Sequence, residues 1–215
     1  KTLLKQVPEI LRLRLSSIDS IEADSHLFDL IADEPRFMPH LHLSLQHGDD
    51  MILKRMKRRH SRADAIAFAE QVRSLRPGFA FGADMIAGFP TETKEMAANS
   101  ARLAEEIGIA HLHVFPYSPR PGTPAARMPQ LDRTLVKARA AELRAAAERL
   151  QAVHLALHVG TRQKLLVERN EMAHTEDFTL VAAPGMKPGS LIEVSIGGHN
   201  GRHLTIASAA ASAAA

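Results

Sequence analysis

Polar residues and leucines alternate strictly from His40 to Gln46, and the pattern runs straight into a glycine turn at Gly48. Successive side chains of an extended strand point to opposite faces, so one face of this segment is leucine and the other is polar. In a sheet with an ordinary core, the polar face would meet water. In a barrel strand backed by helices, the apolar face turns outward and the polar face lines a lumen that can hold a ligand.

Four segments have the length and composition of strands, and helical segments alternate with them: the strands are Leu11–Ile18, His40–Gln46, Phe79–Gly88 and Ile109–Tyr117. One helix is predicted to begin at Asp49 or Asp50, and another near Thr91, with Glu92 in its first turn and its end at Gly108. Strands that recur at spacings of about 30 to 40 residues are typical of βα units and a parallel sheet.

Each predicted strand carries small or polar residues on one face. These residues are Arg12, Arg14 and Ser16; His40, His42, Ser44 and Gln46; Gly82, Asp84 and Gly88; and His111 and His113. A flat parallel sheet covered on both faces would read as nearly continuous valine, isoleucine and leucine. The pattern therefore favours an α/β fold built as a partial barrel with a polar interior.

The second half of the chain predicts a long helix and then a small β-barrel. The helix runs from Arg133 to His158 and ends before Gly160; its apolar positions are Val136, Leu143, Ala147, Leu150, Val153 and Leu157. Short β-like segments separated by dense turn residues follow it, which indicates a small antiparallel barrel. We expect a βα barrel domain over 1–158, the small barrel over 159–207, and a disordered Ala/Ser tail over 208–215.

Composition limits the classes of protein to which the chain can belong. The 215 residues contain 45% hydrophobic side chains, enough for a sizeable core, and no apolar run long enough to cross a bilayer or form a signal peptide, so we expect a cytoplasmic protein without a membrane partner. Lys and Arg outnumber Asp and Glu by 27 to 24, and Lys54–Arg62 forms a cationic block. That block is either a solvated helix face or a patch that contacts phosphates.

The chain contains no cysteine. Disulfides, thiolate zinc sites, a cysteine nucleophile and an iron–sulfur cluster held by thiolates of this chain are therefore excluded.

Two loops could bind a ligand. The stretch Gly82–Glu92 reads as a strand, a glycine turn and a helix start, so amides near Thr91 could face an anionic or polar ligand; alternatively, Gly88 and Pro90 only shape a βα turn. The proline-rich stretch Phe115–Ala125 follows the last strand, where barrels bind ligands.

Within that second loop, Arg120 could contact a phosphate or carboxylate, or could simply be solvated. The pairs His40/His42 and His111/His113 have spacing compatible with a metal site. Hydrogen-bonded histidines of the lumen fit the same spacing, and we favour this second interpretation because few acidic residues lie on the neighbouring faces.

Several multi-residue motifs occur together in this order: His40–Asp50, Leu53–Arg58, Asp84–Thr93 and Phe115–Ala125. Over most of residues 1 to 207, this combination resembles the radical S-adenosylmethionine (SAM) methylthiotransferases that modify tRNA. The paired histidines and the Phe-Pro-Tyr-Ser-Pro-Arg segment resemble most the branch that acts on threonylcarbamoyladenosine at tRNA position 37.

The resemblance implies the C-terminal portion of a partial radical SAM barrel followed by a TRAM domain, a small barrel that helps to hold RNA. It implies that SAM contacts Ser44, Gln46, Asp84, Ile86, Gly88, Phe115 and Tyr117. It implies that tRNA contacts Lys54, Arg55, Arg58 and Arg120. It assigns no catalytic residue and no metal ligand to this chain.

The sequence departs from that family in one respect. Family members carry cysteines in an N-terminal domain and a Cys-x-x-x-Cys-x-x-Cys loop, which hold [4Fe-4S] clusters, whereas this chain has no cysteine. We therefore expect the C-terminal part of such an enzyme, inactive alone, with tRNA, SAM and the missing N-terminal part as partners. The alternatives are a metal-dependent hydrolase that uses the His-x-His strands and a non-catalytic RNA-binding remnant.

Overall fold

A computed structural model describes residues 2–207 of the chain. The chain forms two compact units, the first ending at Leu150 and the second beginning at Gln151. The sequence-based boundary, between residues 158 and 159, lies further along the chain. The expected tail, 208–215, lies outside the described residues.

The first unit is built on a three-stranded parallel sheet of β1 (His40–Gln46), β2 (Ala80–Ala87) and β3 (Ile109–Pro116), in the order β1-β2-β3. The helices are α1 (Thr2–Gln6), α2 (Ser25–Asp33), α3 (Asp50–Arg55), α4 (Arg62–Leu75), α5 (Lys94–Ile107) and α6 (Arg133–Ala156). The predicted alternation of strands and helices around a parallel sheet is confirmed.

The predicted first strand, Leu11–Ile18, is wrong. This segment touches β1 and the residues before it through two isolated bridges, Leu13 with Phe37 and Ile18 with Leu43. The bridged residues are five apart on one segment (18 − 13) and six apart on the other (43 − 37), so the two bridges do not join into one regular ladder. The segment therefore follows the edge of the sheet as irregular chain.

The leucine face of β1 is the buried face. Leu41, Leu43 and Leu45 are at most 1% exposed and belong to one core with Phe68 and Val72 of α4. Burying a leucine side chain fully contributes about 1.5–3 kcal/mol, so this face fixes the orientation of the strand. The polar residues of β1 consequently point to the opposite face, as predicted.

Helix α5 begins later than predicted, with Thr93 as its N-cap, and Glu92 lies in the preceding loop rather than in the first turn. The Thr93 hydroxyl accepts a hydrogen bond from the amide of Met96 (3.2 Å). Thr91 has φ of 67°, a left-handed conformation that a helix does not accommodate. The predicted end at Gly108 is confirmed, because that residue adopts φ of 64° at the C-cap.

The apolar stripe predicted for the long helix is only partly buried. Val136 and Leu143 lie in protein interior, but Val153 and Leu157 are 63% and 72% exposed. Beyond Leu150 the helix belongs to the second unit, where Leu155 is the buried residue. One helical period cannot describe a helix whose two ends belong to different cores.

The second unit contains a closed barrel whose strands are ordered β4-β5-β6-β8-β7: β4 (Arg162–Val167), β5 (Met172–His174), β6 (Leu180–Ala182), β7 (Leu191–His199) and β8 (Leu204–Ile206). The predicted small barrel is confirmed, although β6 and β8 pair in parallel rather than antiparallel fashion. None of the helices in the described part of the chain has the length and apolarity needed to span a bilayer.

Candidate functional site

The polar side chains of the three parallel strands meet on one face of the sheet. Asp84 of β2 lies between two histidines, with its Oδ1 atom 3.0 Å from Nε2 of His42 and 3.2 Å from Nδ1 of His113. The rings of these histidines are 5.2 Å apart, and those of His40 and His111 are 5.9 Å apart. The histidines and Asp84 therefore share the polar face that the sequence predicts for these strands.

Gly82 makes room for this cluster. A Cβ atom at this position would lie 2.6 Å from Nδ1 of His42 and 3.2 Å from Nε2 of His40. Glycine in a strand interior costs stability, and here the close approach of the imidazoles accounts for it.

A cavity of about 600 Å³ lies where the three strands end. It brings together eight of the eleven predicted site residues: Gln46, Arg55, Arg58, Asp84, Ile86, Phe115, Tyr117 and Arg120. The other lining residues were not named individually as site residues, although all lie within Lys54–Arg62, Gly82–Glu92 and Phe115–Ala125; they are Met56, Lys57, Phe89, Pro116, Ser118, Thr123, Pro124 and Ala125. Most of these lie next in sequence to residues that were predicted.

Three predicted residues do not line this cavity. Ser44 offers its backbone carbonyl to Nη2 of Arg58 (2.9 Å). Gly88 is buried and donates its amide to Glu92 (2.9 Å), and Lys54 is exposed on α3. We therefore place Gly88 in the support of the cavity rather than in its wall.

Several polar atoms of the cavity residues are buried without a hydrogen-bond partner among the described residues: the hydroxyl of Tyr117, Nη1 of Arg55 and Nε of Arg58. Burial raises the pKa of the Tyr117 hydroxyl, which keeps it protonated and able to donate. Buried polar groups normally find partners, so these atoms mark places where a ligand could bind.

The cationic block Lys54–Arg62 is not carried by a single helix. It is divided between the end of α3, a loop and the start of α4. Arg58 pairs with Asp19 (3.0 Å), Arg59 with Glu22 (2.6 Å) and Arg62 with Glu106 (2.7 Å). Several of its cationic side chains are therefore paired with carboxylates of the first unit.

Glu92, which sequence analysis assigned to a helix, is the buried support of the site. Its fully buried carboxylate accepts hydrogen bonds from the amides of Gly88 (2.9 Å) and Phe89 (3.2 Å) and from Nη1 of Arg139 (2.9 Å). His47 donates to it through Nε2 (3.1 Å), because Nδ1 of that ring accepts from the Asp49 amide. The carboxylate thus joins the ends of β1 and β2 to α6.

Comparison with known proteins shows which families the chain resembles. The profile of the radical SAM superfamily matches residues 2–104. A threonylcarbamoyladenosine tRNA methylthiotransferase from Rickettsia prowazekii is 54% identical over 178 residues, which are 83% of this chain and 42% of that protein. The chain is thus similar, over most of its length, to the radical SAM tRNA methylthiotransferases.

Other members of the family are also similar to the chain. The threonylcarbamoyladenosine tRNA methylthiotransferase of Thermotoga maritima is 39% identical over 125 residues, 58% of this chain and 29% of that protein. A tRNA-2-methylthio-N(6)-dimethylallyladenosine synthase from Cereibacter sphaeroides is 33% identical over 201 residues, 90% of this chain and 46% of that protein. The chain spans less than half the length of these family members.

One solved structure shows the radical SAM fold. Coproporphyrinogen III oxidase from Escherichia coli, a radical SAM enzyme, matches with a TM-score of 0.56 and 21% identity, over 69% of this chain and 36% of that chain. The predicted fold class, part of a radical SAM barrel followed by a small β-barrel, is confirmed.

Proposed function

We propose that this chain forms the nucleoside- and RNA-binding part of a tRNA methylthiotransferase. The reaction would add a methylthio group to C2 of N6-threonylcarbamoyladenosine at tRNA position 37, with SAM as cofactor. The observation that carries the proposal is the cavity at the strand ends, which aromatic and cationic side chains line.

The cavity suits the nucleoside of SAM. Its volume of about 600 Å³ lies within the range of small-molecule sites. Phe115 is 51% exposed at its wall and offers a ring face to a purine, and the Tyr117 hydroxyl offers a free donor. Asp84 and Gln46 add acceptors for ribose or amino groups.

The chain's own residues do not fit an iron–sulfur cluster, because it has no cysteine. Such a cluster supplies the electron for reductive cleavage of SAM, and we propose that its thiolates come from a region of the enzyme outside this chain. The chain alone is expected to bind ligands without catalysing methylthiolation. We propose that Lys54, Arg55, Arg58 and Arg120 contact tRNA together with the TRAM-like barrel, and that the enzyme is cytoplasmic.

The first test measures SAM affinity by calorimetry. Phe115→Ala should weaken SAM binding about tenfold, because stacking on an aromatic ring contributes roughly 1–3 kcal/mol per base. Leu75→Ala is the control, since that side chain is also exposed (40%) but lies on α4, outside the cavity. Equal SAM affinities for the two variants would show that Phe115 does not contribute to SAM binding. Failure of the unaltered chain to bind SAM would refute the cofactor proposal.

The RNA assignment is tested by titrating the chain with tRNA at several salt concentrations. Arg120→Ala should lower affinity and reduce the slope of log affinity against log salt by roughly one, as expected for the loss of one phosphate contact. Arg149→Ala, at an exposed position on α6, is the control. An unchanged slope for Arg120→Ala would contradict a phosphate contact.

A second candidate function rests on the cluster of His42, Asp84 and His113. One ligand atom of each lies within 4.8 Å of the others, which is compatible with the metal of a hydrolase. Metal analysis of the purified chain distinguishes the two functions: stoichiometric zinc that is lost in Asp84→Asn would favour the hydrolase.

A further inference from the structure

A second group of metal-ligand side chains lies in the small-barrel unit, on residues that the proposed function does not use. His154 lies in the last turn of α6 and His158 just beyond the helix, so the two rings stand one turn apart. Asp177 lies in the loop between β5 and β6. One ligand atom of each residue lies within 4.8 Å of the others.

Both histidine nitrogens approach the same carboxylate oxygen. Oδ2 of Asp177 is 2.9 Å from Nε2 of His158 and 3.4 Å from Nε2 of His154. Ligands of a tetrahedral zinc ion, each about 2.0–2.1 Å from the metal, lie roughly 3.3 Å apart. The two observed distances are therefore close to the ligand–ligand distance of a tetrahedral zinc site.

The surrounding hydrogen bonds fix the ligands in this orientation. Nδ1 of His158 donates to the carbonyl of His154 (3.0 Å), which directs Nε2 toward Asp177. The other carboxylate oxygen of Asp177, Oδ1, accepts from the Thr179 amide (3.3 Å) and from the Thr175 hydroxyl. Histidines that bind metals commonly donate the second ring nitrogen to a carbonyl, and their carboxylate co-ligands are hydrogen-bonded in the same way.

The contact between His158 and Asp177 is favourable only if a positive charge lies between Nε2 and the carboxylate oxygen. Because Nδ1 of His158 carries a proton, a neutral ring would turn the lone pair of Nε2 toward a carboxylate lone pair. The two side chains are only 10% and 11% exposed, so water does not readily relieve that repulsion. Either a second proton or a metal cation satisfies both atoms.

We propose that His154, His158 and Asp177 bind a divalent transition-metal ion, with Zn²⁺ as the best match to two imidazoles and one carboxylate. His154 exchanges its contact with the Thr179 hydroxyl (2.8 Å) for the metal, and water completes the coordination. The ion ties the end of α6 to the β5–β6 loop, so its role is to stabilise the small barrel.

The test uses the full chain, stripped with a chelator and titrated with ZnCl₂ by calorimetry and with CoCl₂ by visible absorption. We expect one ion per chain, the absorption of tetrahedral cobalt, and a rise in melting temperature with zinc. Asp177→Asn keeps an oxygen for Thr175 and Thr179 and should weaken zinc binding by about tenfold or more. His26→Asn, at an exposed histidine of α2, should bind as the unaltered chain does.

Two results would overturn the proposal. If Asp84→Asn abolishes zinc binding and Asp177→Asn leaves it unchanged, the ion belongs to the cluster of His42 and His113. If the unaltered chain binds neither zinc nor cobalt, the His158–Asp177 contact is an ion pair only. Should Asp177→Asn fail to fold, His154→Ala is judged by the same criterion, because His154 is less buried than His158.

Discussion

The fully buried carboxylate of Glu92 holds the backbone beside the ligand cavity in place. Two of its partners are the backbone amides of Gly88 and Phe89, and Phe89 lines the cavity. Its charged partner Arg139 is itself only 9% exposed, and His47 is its fourth partner. Such a pair is costly to break, because the remaining charge is left buried without its counterion.

Glu92→Gln should therefore lower the free energy of unfolding of the first unit by about 3 kcal/mol, the cost of leaving Arg139 buried without a full counterion. Tyr117 is the single tyrosine of the chain, which has no tryptophan, so its fluorescence during urea denaturation reports the first unit. Glu95→Gln, at an exposed position on α5, is the control and should change stability by less than about 0.5 kcal/mol. Equal stabilities of the two variants would show that the buried pair contributes little.

Among the elements, α4 has the most complete local start signal. The hydroxyl of Ser61 accepts from the Asp64 amide (3.2 Å), and the Asp64 carboxylate accepts from the Ser61 amide (2.8 Å). The Ser61 amide and hydroxyl both donate to the Asp64 carboxylate, and these two hydrogen bonds hold the pKa of Asp64 below its usual value. The reciprocal arrangement satisfies amide groups that the first turn would otherwise leave without partners.

Ser61→Ala should destabilise the first unit by about 1 kcal/mol, through loss of this cap. Urea denaturation followed by Tyr117 fluorescence measures the change. Ser74→Ala, at the exposed end of the same helix, controls for the substitution itself and should have little effect. A loss of stability of the same size in both variants would show that the loss comes from replacing any serine of this helix by alanine and not from removal of the cap.

At the scale of the whole molecule, the proposed function assigns SAM binding to the first unit and gives the small barrel of the second unit a part in tRNA binding. Deletion of the residues after 158 should weaken salt-dependent tRNA binding strongly, because only the contacts of the first unit remain. SAM binding should be retained, because the cavity lies in the first unit. Filter binding with tRNA and calorimetry with SAM measure the two affinities. Tyr117 fluorescence confirms that the shortened chain folds, and unchanged tRNA affinity would show that the barrel is not needed for RNA binding.

Local patterns account for much of what sequence analysis predicted correctly. The alternation from His40 to Gln46 predicts both the strand and its buried face, since period-two spacing separates leucine from polar residues. The caps at Asp49 and Gly108 depend on neighbouring residues only. The motifs around Asp84 and Phe115 likewise predict a ligand-binding edge, because parallel strands end on one side of a sheet.

The sequence by itself determined the parallel strands, the helices between them, the small barrel and the resemblance to tRNA methylthiotransferases, because these follow from periodicity, turn residues and contiguous motifs. Only tertiary structure decided that Glu92 is buried against Arg139, 47 positions away, and that residues 11–18 form no regular strand. It likewise decided which end of α6 belongs to which core and brought His154 and His158 to Asp177. Contacts between residues distant in sequence depend on the packing of whole elements, which no local pattern specifies.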